Sequence, residues 1–139
     1  MHKSGTGVTE TYFLDDGTDE IAEYDGSGSG VPVNRFVPGP AINEPAGQII
    51  VSGTHRRFFI TDHHGSTVAM INASGAQVEG PYTYDTYGNC FSGSSPCSSS
   101  GTPYRFVGMR LDPETGLYYD RARMYSSALG RFLQVDPVG

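Results

Sequence analysis

Hydrophobic and polar residues alternate along this chain in short runs, and each run ends in a cluster of turn-forming residues. A period of two places successive side chains on opposite faces, which is typical of a half-buried β-strand. The pattern predicts strands at Thr11–Asp15, Glu20–Asp25, Val31–Val37, Gln48–Ser52, Arg56–Thr61, Ser66–Ile71, Gln77–Tyr84, Tyr104–Val107, Leu117–Tyr125 and Phe132–Gln134. We therefore expect an all-β fold of consecutive antiparallel hairpins in a curved, twisted sheet, with at most one short helical turn near residues 126–130.

Turns of a common type separate several of these strands. Asp or Asn opens the turn and Gly closes it in Asp62–Gly65, Asn72–Gly75, Asp85–Gly88 and Asp136–Gly139, and Asp112–Gly116 is one residue longer. The opening side chain can accept hydrogen bonds from backbone N–H groups two or three residues later. The closing Gly tolerates a positive φ. The recurrence of this turn predicts stacked hairpins.

The composition favours strands over helices. The 139 residues include 19 Gly and 9 Pro, and the aromatic residues are 9 Tyr and 7 Phe, with no Trp. Because Gly and Pro disfavour helices, so many of them leave little room for a helical bundle. A core built largely from aromatic rings also suits strands.

Charge and hydropathy exclude several classes of function. The net charge of −6 provides no basic surface for nucleic acid, so we expect no nucleic-acid partner. No apolar run approaches the ~18 residues that would span a bilayer, and the first residues lack the apolar core of a signal peptide. We expect no membrane span and no signal peptide in this chain.

Two cysteines, Cys90 and Cys97, flank a loop rich in Ser, Gly and Pro. One disulfide would close this loop in an oxidising compartment, and two free thiols are an equal alternative. The sequence leaves both alternatives open.

The histidines and acidic clusters do not predict a metal site. His63 and His64 are adjacent, and His55 is a third imidazole for a zinc site, but neighbouring residues usually diverge to opposite sides. The acidic run Asp15–Asp19 lacks the ligand series of a calcium loop. We expect no metal and no cofactor.

Specific motifs give this sequence a family resemblance. The segment Tyr82–Asn89, YTYDTYGN, resembles the tyrosine–aspartate repeat of Rhs (YD-repeat) proteins, and Gly101–Gly139 closely resembles their Rhs repeat-associated core. Thr61–Val68 and Phe36–Pro45 are similar to the segments that usually precede this core. The resemblance divides the chain into a YD-repeat-like segment, 1–100, and a core segment, 101–139, within one continuous structural unit.

The resemblance implies a structural part of a larger protein. In this family, which includes polymorphic toxins and the C subunits of insecticidal toxin complexes, the repeats form a hollow β-shell around a toxic C-terminal domain, and the core closes the shell. The expected partners are the remainder of an Rhs polypeptide or its toxin cargo, and the expected location is secreted or extracellular, as part of a bacterial delivery system. The alternative is a self-assembling extracellular β-protein that binds copies of itself through strand edges.

The resemblance also offers one candidate catalytic residue. Many members cleave their own chain beyond the core with a pair of aspartates, and Asp136 matches the first of the two, with Arg131 as possible electrostatic support. Aspartyl chemistry needs a second carboxylate within ~3 Å that shares a proton with the first. Because the second motif is missing here, we expect Asp136 to form a turn and this chain to lack enzymatic activity.

The remaining candidate residues are structural, because they belong to the repeated turns or to the aromatic strands of the core. They are Tyr84, Asp85, Gly88, Tyr104, Phe106, Gly116, Tyr118, Tyr119, Arg121, Arg123, Tyr125 and Gly130. Alternation along the predicted strand Leu117–Tyr125 places Tyr119, Arg121, Arg123 and Tyr125 on one face, where guanidinium groups would stack among rings.

Overall fold

The computed structural model describes residues 2–5, 8–17, 19–53, 55–98 and 101–135, and their secondary structure is almost entirely β. The strands are β1 (His2–Gly5), β2 (Val8–Asp15), β3 (Glu20–Asp25), β4 (Pro32–Pro38), β5 (Pro45–Ile50), β6 (His55–Thr61), β7 (Thr67–Asn72), β8 (Gln77–Glu79), β9 (Thr83–Tyr84), β10 (Cys90–Ser92), β11 (Ser95–Pro96), β12 (Arg110–Asp112), β13 (Leu117–Asp120), β14 (Arg123–Ser126) and β15 (Arg131–Phe132). Single 3-10 turns form at Val51–Gly53 and Phe106–Gly108. The predicted all-β fold is confirmed.

The chain divides into two compact units. The first unit comprises Met1–Phe59 and Ile71–Ala76, and the second comprises Ile60–Met70 and Gln77–Gly139. Strands β1 to β8 follow one another in sheet order, as expected for consecutive hairpins. Two smaller sheets have the orders β11-β10-β9 and β12-β13-β14-β15.

The first unit is an antiparallel meander in which each strand pairs with the next one in sequence. Among its described residues, Ala22, Phe36 and Phe59 have buried hydrophobic side chains, and Pro32 and Pro45 are also buried. Gln48 lies opposite Phe36 in the β4–β5 register, and Glu23 lies opposite Asn34 in the β3–β4 register. The side chains of Glu23, Asn34 and Gln48 form a hydrogen-bonded row across β3, β4 and β5, with distances of 2.6 and 3.1 Å.

The first unit also exposes apolar side chains on its strands. Phe36 is 5% exposed, whereas its neighbour Val37 is 48% exposed, because successive residues of a strand point to opposite faces. Tyr12, Leu14, Val33 and Phe58 are further large, exposed hydrophobic residues among the described side chains of β2, β4 and β6 in this unit.

The second unit contains the two smaller sheets and a core of mixed polarity. Met70, Met109 and Tyr118 are its buried hydrophobic residues. They are accompanied by buried polar residues, namely Ser66, Thr67, Thr102, Arg105 and Ser126. Ser66, Arg105 and Ser126 form side-chain hydrogen bonds that contribute to this unit beside apolar burial. Among the described residues, the hydroxyl groups of Thr67 and Thr102 are buried without a hydrogen-bond partner.

The predicted single strand Leu117–Tyr125 is wrong, because the chain reverses within it. Arg121 has a positive φ of 56° and forms a two-residue turn with Ala122 between β13 and β14. Tyr118 consequently pairs with Tyr125, and Tyr119 pairs with Met124. The expected common face of Tyr119, Arg121, Arg123 and Tyr125 does not form.

Three further sequence-based boundaries are corrected by the structure. The predicted strand Tyr104–Val107 is replaced by the 3-10 turn Phe106–Gly108, in which Val107 has a positive φ of 50°. The predicted strand Gln77–Tyr84 is interrupted at Gly80–Pro81 and continues as β9. The predicted strand Gln48–Ser52 ends at Ile50, because the chain turns at Val51–Gly53.

Residues 127–130 form a turn rather than a helix. The backbone N–H of Leu129 donates to Oγ of Ser126 at 3.3 Å, and Gly130 has a positive φ of 62°. The described residues contain no helix with the length and apolar character that a membrane crossing requires.

Candidate functional site

The Asp85–Gly88 turn leads into the part of the second unit where most predicted structural residues meet. The backbone N–H groups of Tyr87 and Asn89 both donate to Oδ1 of Asp85 at 2.9 Å, and the N–H of Gly88 donates to the Asp85 carbonyl at 3.1 Å. Gly88 has a φ of +90°. In this geometry Asp85 opens the turn and Gly88 closes it.

The same turn geometry recurs at two other predicted positions. In Asp62–Gly65 and Asn72–Gly75, the opening side chain again accepts two backbone N–H bonds, at 2.9 to 3.0 Å. Both closing glycines have a φ of +84°. The prediction of a recurring turn is therefore confirmed for all three, while Asp136–Gly139 lies outside the described residues.

Asp85 is held in its ionised form by the turn. The side-chain amide of Asn89 donates to Oδ2 of Asp85 at 2.7 Å and is the largest cause of the lowered pKa of Asp85. The backbone N–H bonds lower this pKa further, and partial desolvation opposes them. A carboxylate used in this way is a structural acceptor.

Gly88 differs from the other turn glycines in its surroundings. A Cβ atom at Gly88 would collide with the ring of Phe106, whereas a Cβ at Gly65 or Gly75 would meet no atom within 4 Å. The absence of a side chain at Gly88 therefore serves both the turn and the packing of an aromatic ring against the backbone.

Aromatic rings gather around Phe106. The ring centroids of Tyr84, Tyr118 and Tyr125 lie 5.9, 6.2 and 6.2 Å from that of Phe106. Phe132 contacts Tyr125 edge-on at 5.4 Å. We call these five residues the Phe106 cluster. Distances in this range are typical of favourable aromatic pairs.

The tyrosines of the Phe106 cluster also donate hydrogen bonds to backbone carbonyl groups. The hydroxyl of Tyr84 donates to Thr67 at 2.7 Å, that of Tyr118 to Gly88 at 3.1 Å, and that of Tyr125 to Tyr87 at 3.0 Å. The last two bonds span 30 and 38 residues of sequence. They tie the core segment to the Asp85–Gly88 turn.

Burial keeps these tyrosines neutral, which is the state in which a hydroxyl donates. Desolvation raises the pKa of Tyr118 to about 12, although the positive charge of Arg105 acts in the opposite direction. Desolvation is also the largest cause of the raised pKa of Tyr84 and of Tyr125.

Arg105 is the main residue of this region that the sequence analysis missed. It is 1% exposed, and its Nε and Nη2 donate to the carbonyl groups of Thr102 at 3.2 Å and Ser98 at 2.6 Å. Its guanidinium carbon lies 5.4 Å from the centre of the Tyr82 ring. The available signal was its position between two aromatic residues, Tyr104 and Phe106.

Backbone groups of Arg105 and Val107 form hydrogen bonds with Thr67, the first residue of β7, and with Ser66, which precedes it. The N–H of Thr67 donates to the Arg105 carbonyl at 3.0 Å, and the N–H of Val107 donates to Oγ of Ser66 at 3.1 Å. Tyr104 is half-buried and forms a β-bridge with Arg110.

Cys90 and Cys97 form a disulfide with an S–S distance of 2.03 Å, so the first of the two sequence alternatives holds. The backbone N–H of Cys97 also donates to the Cys90 carbonyl at 3.0 Å. The disulfide thereby holds the start of the segment that carries Ser98, an acceptor for Arg105.

A cavity of about 330 Å³ lies beside the disulfide within the second unit. Its lining includes Gly88, Cys90, Arg105, Leu111 and Tyr118. Among the described residues that line it, Arg105 alone is charged, and the others are apolar, neutral polar or glycine.

The other predicted site residues have separate surroundings. The guanidinium of Arg123 stacks over the Phe132 ring at 3.7 Å, as expected for an arginine among rings. A Cβ at Gly130 would lie 2.7 Å from the Tyr87 ring, whereas Gly116 has open space. Arg131 is exposed, and Asp136 lies outside the described residues.

The described residues offer no obvious centre for metal chemistry. Within them, no three His, Cys, Asp or Glu side chains are grouped closely enough to hold a metal ion. The rings of His63 and His64 lie 3.8 Å apart, and both residues are exposed. The Phe106 cluster instead stabilises the fold of its own unit, because the hydroxyl groups of its tyrosines donate hydrogen bonds to backbone carbonyl groups of that unit.

These features define a class of protein. It is an antiparallel β-structure with recurring turns opened by Asp or Asn, in which tyrosine hydroxyl groups donate hydrogen bonds to backbone carbonyl groups far away in sequence. The family model described as Teneurin YD-shell matches residues 45–138. The chain belongs to the Teneurin YD-shell family, and its resemblance to Rhs and YD-repeat proteins is confirmed.

Individual relatives share a short part of their length with this chain. The tRNA3(Ser)-specific nuclease WapA of Bacillus spizizenii is 36% identical over 80 residues, which is 58% of this chain and 3% of WapA. The toxin protein Tse5 of Pseudomonas aeruginosa is 34% identical over 83 residues, covering 59% of this chain and 6% of Tse5.

The fold is shared with a solved structure. The crystal structure of TcdB2-TccC3 without its hypervariable C-terminal region matches 97% of this chain and 8% of that chain, with a TM-score of 0.61 and 16% sequence identity. The chain therefore corresponds to a small portion of much longer proteins, and at this identity the likeness concerns the fold.

Proposed function

We propose that this chain is a structural part of a YD-repeat β-shell that encloses a toxin, and that its core segment, 101–139, closes the shell. The observation that carries this proposal is the set of hydrogen bonds from Tyr118 and Tyr125 to the Asp85–Gly88 turn. They attach the core segment to a YD repeat directly. A closing element needs such attachment because the cargo would otherwise escape at that point.

The names of the relatives support a toxin as the enclosed partner. One is a nuclease and another a toxin protein, yet this chain corresponds to 3% and 6% of their lengths. We assign the toxic activity to the remainder of such a polypeptide. The partner of this chain is accordingly the rest of its own polypeptide or the cargo that it carries.

We propose that this chain has no catalytic activity of its own. An aspartyl dyad needs two carboxylates that share a proton, and the family motif matches Asp136 alone in this sequence. The purified protein should remain intact, and should cut no peptide, between roughly pH 4 and pH 8, where carboxylate dyads titrate. Cleavage that is lost in Asp136→Asn would overturn this proposal.

The proposed location is outside the producing cell or in its delivery system. The Cys90–Cys97 disulfide supports it, because structural disulfides persist in oxidising compartments.

The shell is tested on the full polypeptide that contains this chain. Electron microscopy should show hollow particles, and the carried domain should resist added protease. Gly88→Ala should open the closure, because the new Cβ displaces the Phe106 ring, and should expose the cargo to cleavage. Gly116→Ala is the matched control, since a Cβ there meets open space. Equal cleavage of the cargo in the wild type and in Gly88→Ala would contradict the proposal.

A self-assembling β-protein is the second candidate, favoured by one feature of the first unit. Within the described residues β1 stands at one end of the sheet order, and an end strand can pair with a strand of another copy. Regular filaments formed by this chain alone would support this candidate, and discrete particles from the full polypeptide would oppose it.

A further inference from the structure

The two sulfur atoms of the Cys90–Cys97 disulfide have different surroundings. Nη1 of Arg105 donates to Sγ of Cys90 at 3.9 Å, and within the described residues the guanidinium group forms no such bond with Sγ of Cys97. Cys90 lies on β10, the middle strand of the sheet β11-β10-β9, whereas Cys97 follows β11, which stands at one end of that order. The two sides of the S–S bond are therefore chemically different.

Arg105 brings a buried positive charge to the Cys90 side of the bond. The residue is 1% exposed, and in the described part of the chain its other hydrogen-bond acceptors are the carbonyl groups of Thr102 and Ser98. Carbonyl oxygens are neutral, so they satisfy N–H groups without compensating the charge. Buried charges are usually paired, because their removal from water is costly. A thiolate on Cys90 would supply the negative charge that this site lacks.

This asymmetry predicts which sulfur atom a thiol attacks. In thiol–disulfide exchange, a thiolate attacks one sulfur and expels the other as a thiolate, and the more stable thiolate leaves faster. A neighbouring arginine stabilises a thiolate. Both cysteines are half-buried, so exposure gives neither of them an advantage, and residues 92–96 beside Cys97 are exposed to solvent. Arg105 therefore favours attack at Cys97 and departure of Cys90.

We propose that the Cys90–Cys97 disulfide is a thiol-exchange site with a fixed direction, in which a low-molecular-weight thiolate attacks Sγ of Cys97 and Cys90 leaves as a thiolate bound by Arg105. A new bond joins the thiol sulfur to Sγ of Cys97, and the electron pair of the broken S–S bond stays on Sγ of Cys90. A second thiolate attacks the attached thiol and releases Cys97 as a thiolate. The two thiols, which end as their own disulfide, thereby supply the two electrons that reduce the protein.

Exchange at this site would make the closed loop reversible. Opening the loop releases the segment that carries Ser98, whose carbonyl group accepts a hydrogen bond from Arg105. The site requires only that the second unit is folded, so the proposal is independent of shell closure.

The test is to locate the mixed disulfide that forms in the intact protein. The protein is treated with glutathione, and the reaction is stopped with N-ethylmaleimide, which labels free thiols. Tandem mass spectrometry should find glutathione on Cys97 and maleimide on Cys90, in an excess on the order of tenfold over the reverse arrangement. Equal amounts of the two arrangements, an excess of the reverse one, or no mixed disulfide would overturn the proposal.

A variant tests whether Arg105 sets this direction. Arg105→Met removes the charge and keeps a long side chain, so the two arrangements should approach equal amounts. Arg123→Met is the matched control and should keep the wild-type preference, because Arg123 stacks on Phe132 and does not line the cavity beside the disulfide. An unchanged preference in a folded Arg105→Met protein would contradict the role of the guanidinium group.

A second measurement leaves Arg105 in place, for the case in which Arg105→Met does not fold. Cys97→Ser retains the thiol beside Arg105, and Cys90→Ser retains the other one, while both variants lose the same disulfide. At about pH 7, where an ordinary cysteine is only a few per cent ionised, ultraviolet absorbance should show clearly more thiolate in Cys97→Ser than in Cys90→Ser. The double variant provides the blank. Equal thiolate in the two single variants would rule out Cys90 as the favoured leaving group.

Discussion

The two units of this chain stabilise short β-strands by different means. In the first unit, strands pair with their neighbours in sequence, and the buried apolar side chains are few. In the second unit, side chains bind backbone groups far away in sequence, as in the 38-residue span between Tyr125 and Tyr87. Both units bury polar residues, namely Glu23 and Gln48 in the first and a larger set around Arg105 in the second, and both expose some large hydrophobic side chains.

This difference indicates where each unit tolerates change. A meander of hairpins rests mainly on backbone hydrogen bonds, which most side chains permit. A network of specific donors and acceptors depends on particular residues, since loss of one partner leaves the other buried and unsatisfied. We therefore expect sensitivity to substitution to concentrate in the second unit.

The largest effect is expected at Gly88. Gly88→Ala places a Cβ against the Phe106 ring at a φ of +90°, and overpacking with backbone strain should cost about 3 kcal/mol of unfolding free energy. Urea unfolding followed by circular dichroism measures this loss. Gly116→Ala, with a φ of +69° and free space, should cost about 1 kcal/mol. Equal losses in the two variants would show that the aromatic contact contributes nothing.

Removal of the disulfide should have the next largest effect. The double variant Cys90→Ser and Cys97→Ser opens a loop with a sequence separation of 7. Loop-closure entropy of this size corresponds to about 2 kcal/mol. Hydrogen exchange should show faster opening around Arg105, since Ser98 is one of its acceptors. Exchange that increases equally in the first unit would contradict the separate stabilisation of the two units.

The Tyr118 hydroxyl should contribute more than the Tyr125 hydroxyl. Tyr118 is 2% exposed, so Tyr118→Phe leaves the Gly88 carbonyl without its donor and should cost about 1–2 kcal/mol. The hydrogen bond of Tyr125 is exposed, and Tyr125→Phe should cost at most about 0.5 kcal/mol. Urea unfolding of both variants provides the measurement. A larger loss in Tyr125→Phe would reverse this order.

Alkaline pH should weaken the second unit through the same tyrosine. The folded pKa of Tyr118 is about 12 and its ordinary value is 10.0, so its contribution is fully present below pH 10 and is lost as the pH rises through 12. By pH 11, this loss amounts to roughly 1 kcal/mol. Unfolding at pH 8 and pH 11 should therefore show a smaller decrease in Tyr118→Phe than in the wild type. An identical decrease would exclude Tyr118 as the cause.

The smallest effect is expected on the exposed strand positions of the first unit. Leu14 is 46% exposed, and Leu14→Thr should change the unfolding free energy by less than about 0.5 kcal/mol. Phe36→Thr, at a buried position of the same unit, is the contrasting variant and should be clearly destabilising. If Leu14→Thr matched Phe36→Thr in urea unfolding, the exposed face would be part of a core.

Local features of the fold were predictable from the sequence. The period-two pattern predicted β3 with the observed bounds, Glu20–Asp25. The Asx turns were predictable because the side chain of Asp85 binds N–H groups only two and four residues later. The family resemblance indicated that the core segment, 101–139, is important. It did not predict the hydrogen bonds that Tyr118 and Tyr125 of this segment donate.

The sequence by itself determined the all-β class, the recurring turns and the short hairpins, because these arise from interactions between residues that are close along the chain. Only the tertiary structure decided that the chain reverses at Arg121, that Phe106 packs against Gly88, and that Arg105 is buried beside a cavity. The alternation of side chains in residues 117–125 fits one long strand equally well, so the sequence pattern alone did not reveal that the backbone reverses at Arg121. The other two features join residues far apart in sequence, and their pairing depends on the folded path of the whole unit.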